Sequence, residues 1–266
     1  MSRLEARFKK LKYEGKKAFI PFITAGDPNL EVTKSLVLEL EKRGADAIEL
    51  GVPFSDPIAD GPVIQRSSQR ALKEGISLLK ILELVRELRQ KIEIPLILMG
   101  YYNPIFKFGE AEFVKRSSQV GLDGLIIADL PPEEANGLKK EADKNSLDII
   151  FLLTPVSSEE RIKLVSASST GFIYCVSYTG ITGNERKGEE DLKELIGKIR
   201  RLTSKPIGIG FGISSASSAK KAASLADAVI VGSAIVKRIE KYRDNKNLLK
   251  QVGTFAERLG QAINLD

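Results

Sequence analysis

Two carboxylates close together in the sequence are the residues of this chain best suited to chemistry. Glu49 lies inside residues 47–51, a short apolar run that is typical of a buried strand. Because strand side chains alternate between the two faces of a sheet, Glu49 is expected to point away from Ile48 and Leu50, into the centre of the sheet. A carboxylate buried there without a partner stays partly protonated, which suits general acid–base chemistry. The alternative is a structural Glu49 paired with a buried Lys or Arg.

The second carboxylate, Asp60, follows in an unusually stiff loop. Residues 53–62 contain three prolines, and Gly61 allows an unusual backbone turn. Together with Glu49, Asp60 makes a pair of carboxylates that can share proton transfers. The other interpretation is that Asp60 caps a helix that starts near Pro62. Capping and catalysis are compatible, so the loop alone does not decide between them.

Glycine-rich turns further along the chain predict a phosphate site. Residues 210–214 and 232–234 each follow a short apolar run, and the second of these turns opens a helix. Backbone N–H groups at a helix N-terminus bind anions, and barrel enzymes often hold phosphate at their last two loops. The alternative is that these glycines only make tight turns. A third polar, glycine-rich stretch, residues 178–188, indicates a mobile lid or a plain connector.

Eight strand-like runs must position these groups. They cover residues 18–23, 47–51, 95–100, 124–128, 148–153, 172–176, 206–210 and 228–231. Segments with apolar residues three and four apart, such as Leu79, Leu82 and Val85, lie between the runs and indicate helices. Eight alternations within about 250 residues predict one (β/α)8 TIM-barrel domain over residues 1–266. The alternative is a doubly wound open sheet, but its dinucleotide-binding fingerprint is missing.

The sequence also places further parts of the barrel. Residues 2–14 are expected to form an extra N-terminal helix on the barrel floor, and residues 246–262 to close the outer ring of helices. Apolar side chains near strand ends predict a pocket for a flat hydrophobic ligand, although core packing explains each of them equally well. These side chains are Phe22, Met99, Ile126 and Tyr174.

Composition excludes several classes of function. The chain has no histidine, which rules out Ser-His-Asp triads and histidine–metal centres, and its one cysteine, Cys175, cannot form an internal disulfide. The net charge is +6, but the basic residues are interleaved with 35 acidic ones, without the aromatic–basic clusters of nucleic-acid binders. An apolar signal core and a run of about 18 apolar residues are both missing. We therefore expect a cytoplasmic protein that binds neither membrane nor nucleic acid.

Taken together, the motifs resemble the family of tryptophan synthase α subunits over nearly the whole chain. The stretch from Glu49 to Pro62 is the most specific part of the resemblance. Beyond Gly183 the chain departs from the family, which often places a Leu-Pro pair in the lid. The matching motifs are residues 21–28, 49–57, 59–62, 101–104, 129–131, 180–183, 210–212 and 232–233.

The resemblance implies a carbon–carbon lyase of tryptophan biosynthesis. Its reaction is the retro-aldol cleavage of indole-3-glycerol phosphate to indole and glyceraldehyde 3-phosphate. Glu49 would act as the general acid and base, Asp60 would stabilise charge on the indole nitrogen, and Thr182 would orient Asp60. The indole pocket would be lined by Phe22, Met99 and Ile126, with Tyr174 beside it. The phosphate would be held by Gly183, Phe211, Gly212, Gly232 and Ser233.

The resemblance also implies a partner. An α2β2 heterotetramer with the tryptophan synthase β subunit is expected, in which pyridoxal phosphate belongs to β and this chain needs no cofactor. One alternative is a non-enzymatic activator of β that has kept the fold, against which the intact Glu49 and Asp60 argue. Another is a related phosphate-binding barrel such as indole-glycerol-phosphate synthase. That enzyme uses lysine catalysis, and the predicted strands carry no inward lysine.

Overall fold

The structure is a computed structural model that describes residues 1–176, 185–210 and 212–265, with only the backbone described for residues 185–189. Its centre is a parallel sheet in the order β5-β4-β3-β2-β1-β9-β8-β7-β6. The strands are β1 (Ala18–Thr24), β2 (Ile48–Gly51), β3 (Leu96–Gly100), β4 (Gly124–Ile127), β5 (Asp148–Ile150), β6 (Leu152–Leu153), β7 (Ile173–Val176), β8 (Ile207–Gly210) and β9 (Ala228–Val231).

The sheet closes into a barrel in which two short strands, β5 and β6, share one strand position. β1 pairs in parallel with both β2 and β9, so the first and last strands of the chain are neighbours. β5 pairs with β4 while β6 pairs with β7, and only Phe151 separates β5 from β6. These two short strands therefore fill the position predicted for a single strand over residues 148–153. The predicted (β/α)8 TIM barrel is confirmed, and the open-sheet alternative is wrong.

Helices surround the strands in the alternating order that the sequence predicts. Polar N-cap side chains begin several of them, as Ser77 does by accepting a hydrogen bond from the backbone N–H of Lys80. In the described residues the helices are α1 (Arg3–Tyr13), α2 (Leu30–Lys42), α3 (Pro62–Lys73), α4 (Leu78–Arg89), α5 (Tyr102–Phe108), α6 (Glu110–Gln119), α7 (Asn136–Lys144), α8 (Glu159–Ser168), α9 (Glu185–Leu202), α10 (Ala216–Ala223), α11 (Ser233–Tyr242) and α12 (Leu248–Ile263). None of these helices is long and apolar enough to cross a membrane.

Helix α1 closes the floor of the barrel, as predicted. Its apolar side chains Leu4, Phe8 and Leu11 are buried in the same cluster as the inward-facing side chains of the strands. The ring of Phe8 lies 5.6 Å from that of Phe172 at the base of β7. Because α1 and the inward-facing side chains fill the floor and interior, a ligand site within the barrel is expected at the carboxyl ends of the strands, where barrel enzymes keep their active sites.

In the long loops, one alternative interpretation and one predicted boundary are wrong. Helix α3 starts at Pro62, but its N-cap is Gly61 without any side-chain hydrogen bond, so Asp60 does not cap it. The predicted loop over residues 178–188 is also too long, because α9 already begins at Glu185. The rest of that loop, with its proposed lid function, lies outside the described residues.

Candidate active site

A cavity of about 320 Å³ opens at the carboxyl ends of the strands. It brings together eight side chains or backbone positions that the sequence singles out: Phe22, Glu49, Asp60, Met99, Tyr174, Gly212, Gly232 and Ser233. Ile126 is fully buried in the barrel interior and does not line the cavity. Thr182, Gly183 and Phe211 lie outside the described residues. The wall also contains Gly61, Ile213, Ser214 and Ala234, which belong to the predicted site loops without a role of their own, and Ile64 and Ile230, which the sequence did not single out.

Glu49 is the more deeply buried of the two carboxyl groups that line this cavity. Strand β2 is held between β1 and β3, with Glu49 in register with Phe22 on one side and Ile97 on the other. The residue is fully buried, and neither carboxyl oxygen has a hydrogen-bond partner among the described residues. Burial, and secondarily the nearby Asp60 carboxylate, raises the pKa of Glu49 to about 8. Glu49 is therefore mostly protonated at neutral pH, and the structural alternative of a Lys or Arg partner is not found among the described side chains.

Asp60 has a different environment at the end of the β2–α3 loop. Burial raises the pKa of its carboxyl group, but a hydrogen bond from the Tyr101 hydroxyl, 3.0 Å from Oδ2, opposes that rise. The backbone carbonyl of Asp60 accepts a further bond from the Gln65 side chain at 2.8 Å. Two carboxyl groups with different surroundings thus face one cavity. Such a pair can divide acid and base roles.

An apolar wall lies beside the carboxyl groups. The Phe22 ring packs over Gly51, where any side chain would overlap it. Tyr174 is buried on β7, and burial followed by the charges of Glu49 and Asp60 raises the pKa of its hydroxyl well above the ordinary value. A methyl group at Gly210 would overlap that hydroxyl, so the neighbouring strand must carry glycine. The wall suits a flat aromatic group.

Another part of the cavity wall is suited to an anion. Helix α11 begins at the wall, and its N-cap Gly232 has no side-chain hydrogen bond that would satisfy the first N–H groups. Gly212 has φ 73°, a left-handed conformation that favours glycine and keeps side-chain atoms out of the cavity. Unsatisfied N–H groups and the helix dipole attract phosphate. The described residues contain no cluster of His, Cys, Asp or Glu that could hold a metal ion.

Comparison with known proteins agrees with this geometry. The family model described as tryptophan synthase alpha chain matches residues 8–264. The tryptophan synthase alpha chain of Geobacter sp. (strain M21) is 50% identical over 263 residues, which cover 99% of this chain and 98% of that one. The crystal structure of the alpha subunit from Legionella pneumophila str. Paris superposes with a TM-score of 0.92 at 40% identity, covering 99% and 98% of the two chains.

A more distant structure keeps the same fold. Tryptophan synthase from M. tuberculosis, in an open form with BRD0059 bound, superposes with a TM-score of 0.90 at 30% identity and covers 100% of both chains. Both the family match and the sequence relatives extend over almost the whole chain. This chain therefore belongs to the tryptophan synthase alpha chain family and is the lyase that cleaves indole-3-glycerol phosphate to indole and glyceraldehyde 3-phosphate in tryptophan biosynthesis.

Proposed function

We propose that Glu49 and Asp60 divide the proton transfers of this cleavage between them. The carboxyl group of Glu49 donates its proton to the ring carbon of indole that carries the glycerol phosphate chain. The Asp60 carboxylate accepts a hydrogen bond from the indole N–H and stabilises the positive charge that develops there. The observation that carries the proposal is the pair of Glu49 oxygens, which face the cavity, have no hydrogen-bond partner among the described residues and favour the protonated form.

The second half of the reaction returns the proton. Glu49, now a carboxylate, takes the proton of the hydroxyl group next to the ring as the carbon–carbon bond breaks. The electron pair of that bond returns to the indole ring, and the hydroxyl carbon becomes the aldehyde of glyceraldehyde 3-phosphate. Glu49 ends protonated as it began, so protons and electrons balance without any cofactor in this chain.

The remaining residues of the site bind and orient the substrate in this proposal. Phe22, Met99 and Tyr174 pack against the indole ring, and Ile126 supports that pocket from the barrel interior. Gly212, Gly232 and Ser233 offer backbone N–H groups to the phosphate. From the segments outside the described residues, Gly183 and Phe211 join the phosphate site and Thr182 orients Asp60. Residues 1–266 act as one catalytic domain.

The proposal includes a partner subunit and a location. Family membership and the likeness to a solved tryptophan synthase from M. tuberculosis support a complex with a β subunit. In that α2β2 complex the β subunit holds pyridoxal phosphate and receives the indole released here. The chain works in the cytoplasm, without binding a membrane or nucleic acid.

Replacement of the two carboxyl groups tests the assigned roles. Glu49→Gln keeps the size of the side chain but cannot transfer a proton, so we expect at least a ~10²-fold loss in the rate of indole release from indole-3-glycerol phosphate. Asp60→Asn should also slow the reaction, since it removes the negative charge beside the indole nitrogen. The control is Glu83→Gln, on the exposed face of α4.

Circular dichroism should show that all three proteins keep the fold. Near-normal indole release by Glu49→Gln would contradict the role of Glu49. If the parent chain released no indole with or without a β subunit, the non-enzymatic activator would become the better description.

A further inference from the structure

Tyr101 connects the catalytic loop to the rest of the barrel. It follows β3 directly, as the N-cap residue of α5, and only 5% of its surface is exposed. Although it lies 41 positions from Asp60 in the sequence, its hydroxyl group touches the loop that ends there. The mechanism proposed above assigns no role to this hydroxyl group.

The hydrogen bonds of Tyr101 fix the direction in which its proton points. The backbone N–H of Ala59 donates to the Tyr101 hydroxyl oxygen at 3.0 Å. The hydroxyl proton is then directed to Asp60 Oδ2, also at 3.0 Å. At the other end of the same loop, the ring of Phe54 stacks on the ring of Tyr101 with 5.1 Å between centroids and 29° between planes. Both ends of the β2–α3 loop therefore contact the Tyr101 side chain.

The charges around Asp60 make this hydrogen bond important. Among the described residues, the titratable groups that face Asp60 besides Tyr101 are Glu49 from β2 and Tyr174 from β7, and Asp129, after β4, faces Tyr101. All of these are acids or phenols, and none of them favours a second negative charge. Among the described residues, the Tyr101 hydroxyl is the one hydrogen-bond donor to the Asp60 carboxyl group. Burial and the Asp60 charge raise the pKa of Tyr101, so the phenol keeps the proton that it donates.

We propose that Tyr101 is a positioning residue that holds Asp60 ionised and aimed into the cavity. It thereby couples the conformation of the β2–α3 loop to the ionisation and orientation of Asp60. This inference rests on the role proposed for Asp60. It concerns a residue that acts through Asp60 and has no proton to transfer to the substrate.

The test is Tyr101→Phe, which removes one oxygen atom and keeps the stacked ring. Because the hydrogen bond favours the ionised carboxylate, its loss raises the pKa of Asp60. The acid limb of kcat/KM should therefore move to higher pH by about one unit, and kcat near neutral pH should fall about tenfold. KM for indole-3-glycerol phosphate should change less than about threefold, since the phosphate end of the cavity is untouched.

The adjacent residue provides a matched control. Tyr102 also donates its hydroxyl proton to a carboxylate, Glu110 Oε1 at 2.8 Å, but Glu110, unlike Asp60, does not line the cavity. Tyr102→Phe makes the same chemical change one position away. It should leave both kcat and the acid limb as in the parent protein.

A double substitution separates positioning from a merely structural role. If Tyr101 acts through Asp60, adding Tyr101→Phe to Asp60→Asn should cost no further activity. An additional tenfold loss in that background would overturn the inference. The inference would also be overturned if Tyr101→Phe kept the kcat and the acid limb of the parent protein while Asp60→Asn was impaired. That result would leave the proposed function unaffected. Full activity of Asp60→Asn would instead reject the role of Asp60, and this inference with it.

A second variant keeps the inference testable if Tyr101→Phe does not fold. Phe54→Leu removes the ring that supports Tyr101 and leaves its hydroxyl group in place. A loosened Tyr101 should shift the acid limb in the same direction, by less than the full unit. An acid limb at the parent's position in Phe54→Leu would then count against the inference.

Discussion

The environment of Glu49 differs from that of three buried aspartates in the same protein. Three buried aspartates each form an ion pair with an arginine, at distances between 2.6 and 2.8 Å. The pairs are Asp27 with Arg70, Asp46 with Arg7 and Asp123 with Arg89. Glu49 has no such cation among the described residues and stays largely neutral. A protonated acid facing a cavity is the form that can donate a proton to carbon.

At the level of single residues, the sequence predicted where a side chain lies better than which groups it contacts. The inward direction of Glu49 followed from strand alternation, which is a local rule. The interpretation of Asp60 as an N-cap was wrong because Gly61 takes that position and Asp60 faces Tyr101 instead. The contact joins residues 41 positions apart, and no local pattern encodes it. The motif at residues 101–104 was the available signal for Tyr101, but it did not indicate what the hydroxyl group contacts.

Among the secondary-structure elements, buried strands were predicted most accurately. Each is a short apolar run bounded by turn-forming or polar residues, so its limits agree with the structure to within one residue or so. The break at Phe151 could not be predicted, because residues 148–153 form an uninterrupted run of strand-like residues. The start of α9 was missed for another reason. Gly188 suggested a loop, whereas Glu185, Arg186 and Lys187 are good helix formers.

The N-terminus of α11 gives a prediction at the level of one helix. In Gly232→Val the new side chain would enter the anion end of the cavity, while its Cβ would make only an ordinary 3.5 Å contact with the Phe22 ring. We therefore expect the fold to persist and KM for indole-3-glycerol phosphate to rise about tenfold or more, equivalent to ~1.4 kcal/mol of lost binding. Calorimetry with glycerol phosphate should show the same loss of affinity.

The control for this prediction is a glycine on an outer helix. Gly197 lies in α9, and a Cβ added there would meet no described atom within 4 Å outside the helix's own backbone. Gly197→Val should therefore bind glycerol phosphate as the parent protein does. Unchanged affinity in Gly232→Val would show that the phosphate does not bind at the start of α11.

For the whole molecule, the described part of the barrel is open at one end, where we propose that the β subunit binds. The floor is closed by α1, and the cavity opens at the carboxyl ends of the strands. The β2–α3 loop stands at this open end and exposes Asp56 and Ile58, the latter with 85% of its surface accessible. The overall barrel was predictable from eight strand–helix alternations, but a partner's binding surface depends on how separate loops meet in space.

Asp56 tests the route to the partner subunit. If β acts through this loop, the chain alone should be slow and β should accelerate indole release by about 10- to 100-fold. Asp56→Ala should lose that acceleration and keep the basal rate, because Asp56 does not line the cavity. The control is Asp244→Ala, since Asp244 is also exposed but follows the far end of α11. Full activity without β, or normal activation of Asp56→Ala, would rule out this route.

We propose that burial keeps Glu49 protonated at neutral pH, so that it can donate a proton to the indole ring. The most direct measurement is infrared difference spectroscopy of the carboxylic acid band as a function of pH, with Glu49→Gln identifying the band. Because the pKa of Glu49 is raised from 4.5 to about 8, the neutral acid should persist at pH 7 and disappear with a midpoint near pH 8. On the same free enzyme, kcat/KM should fall over that range as the donor is lost. A midpoint near the ordinary 4.5 would mean that Glu49 is ionised at neutral pH, and it would contradict its role as the proton donor.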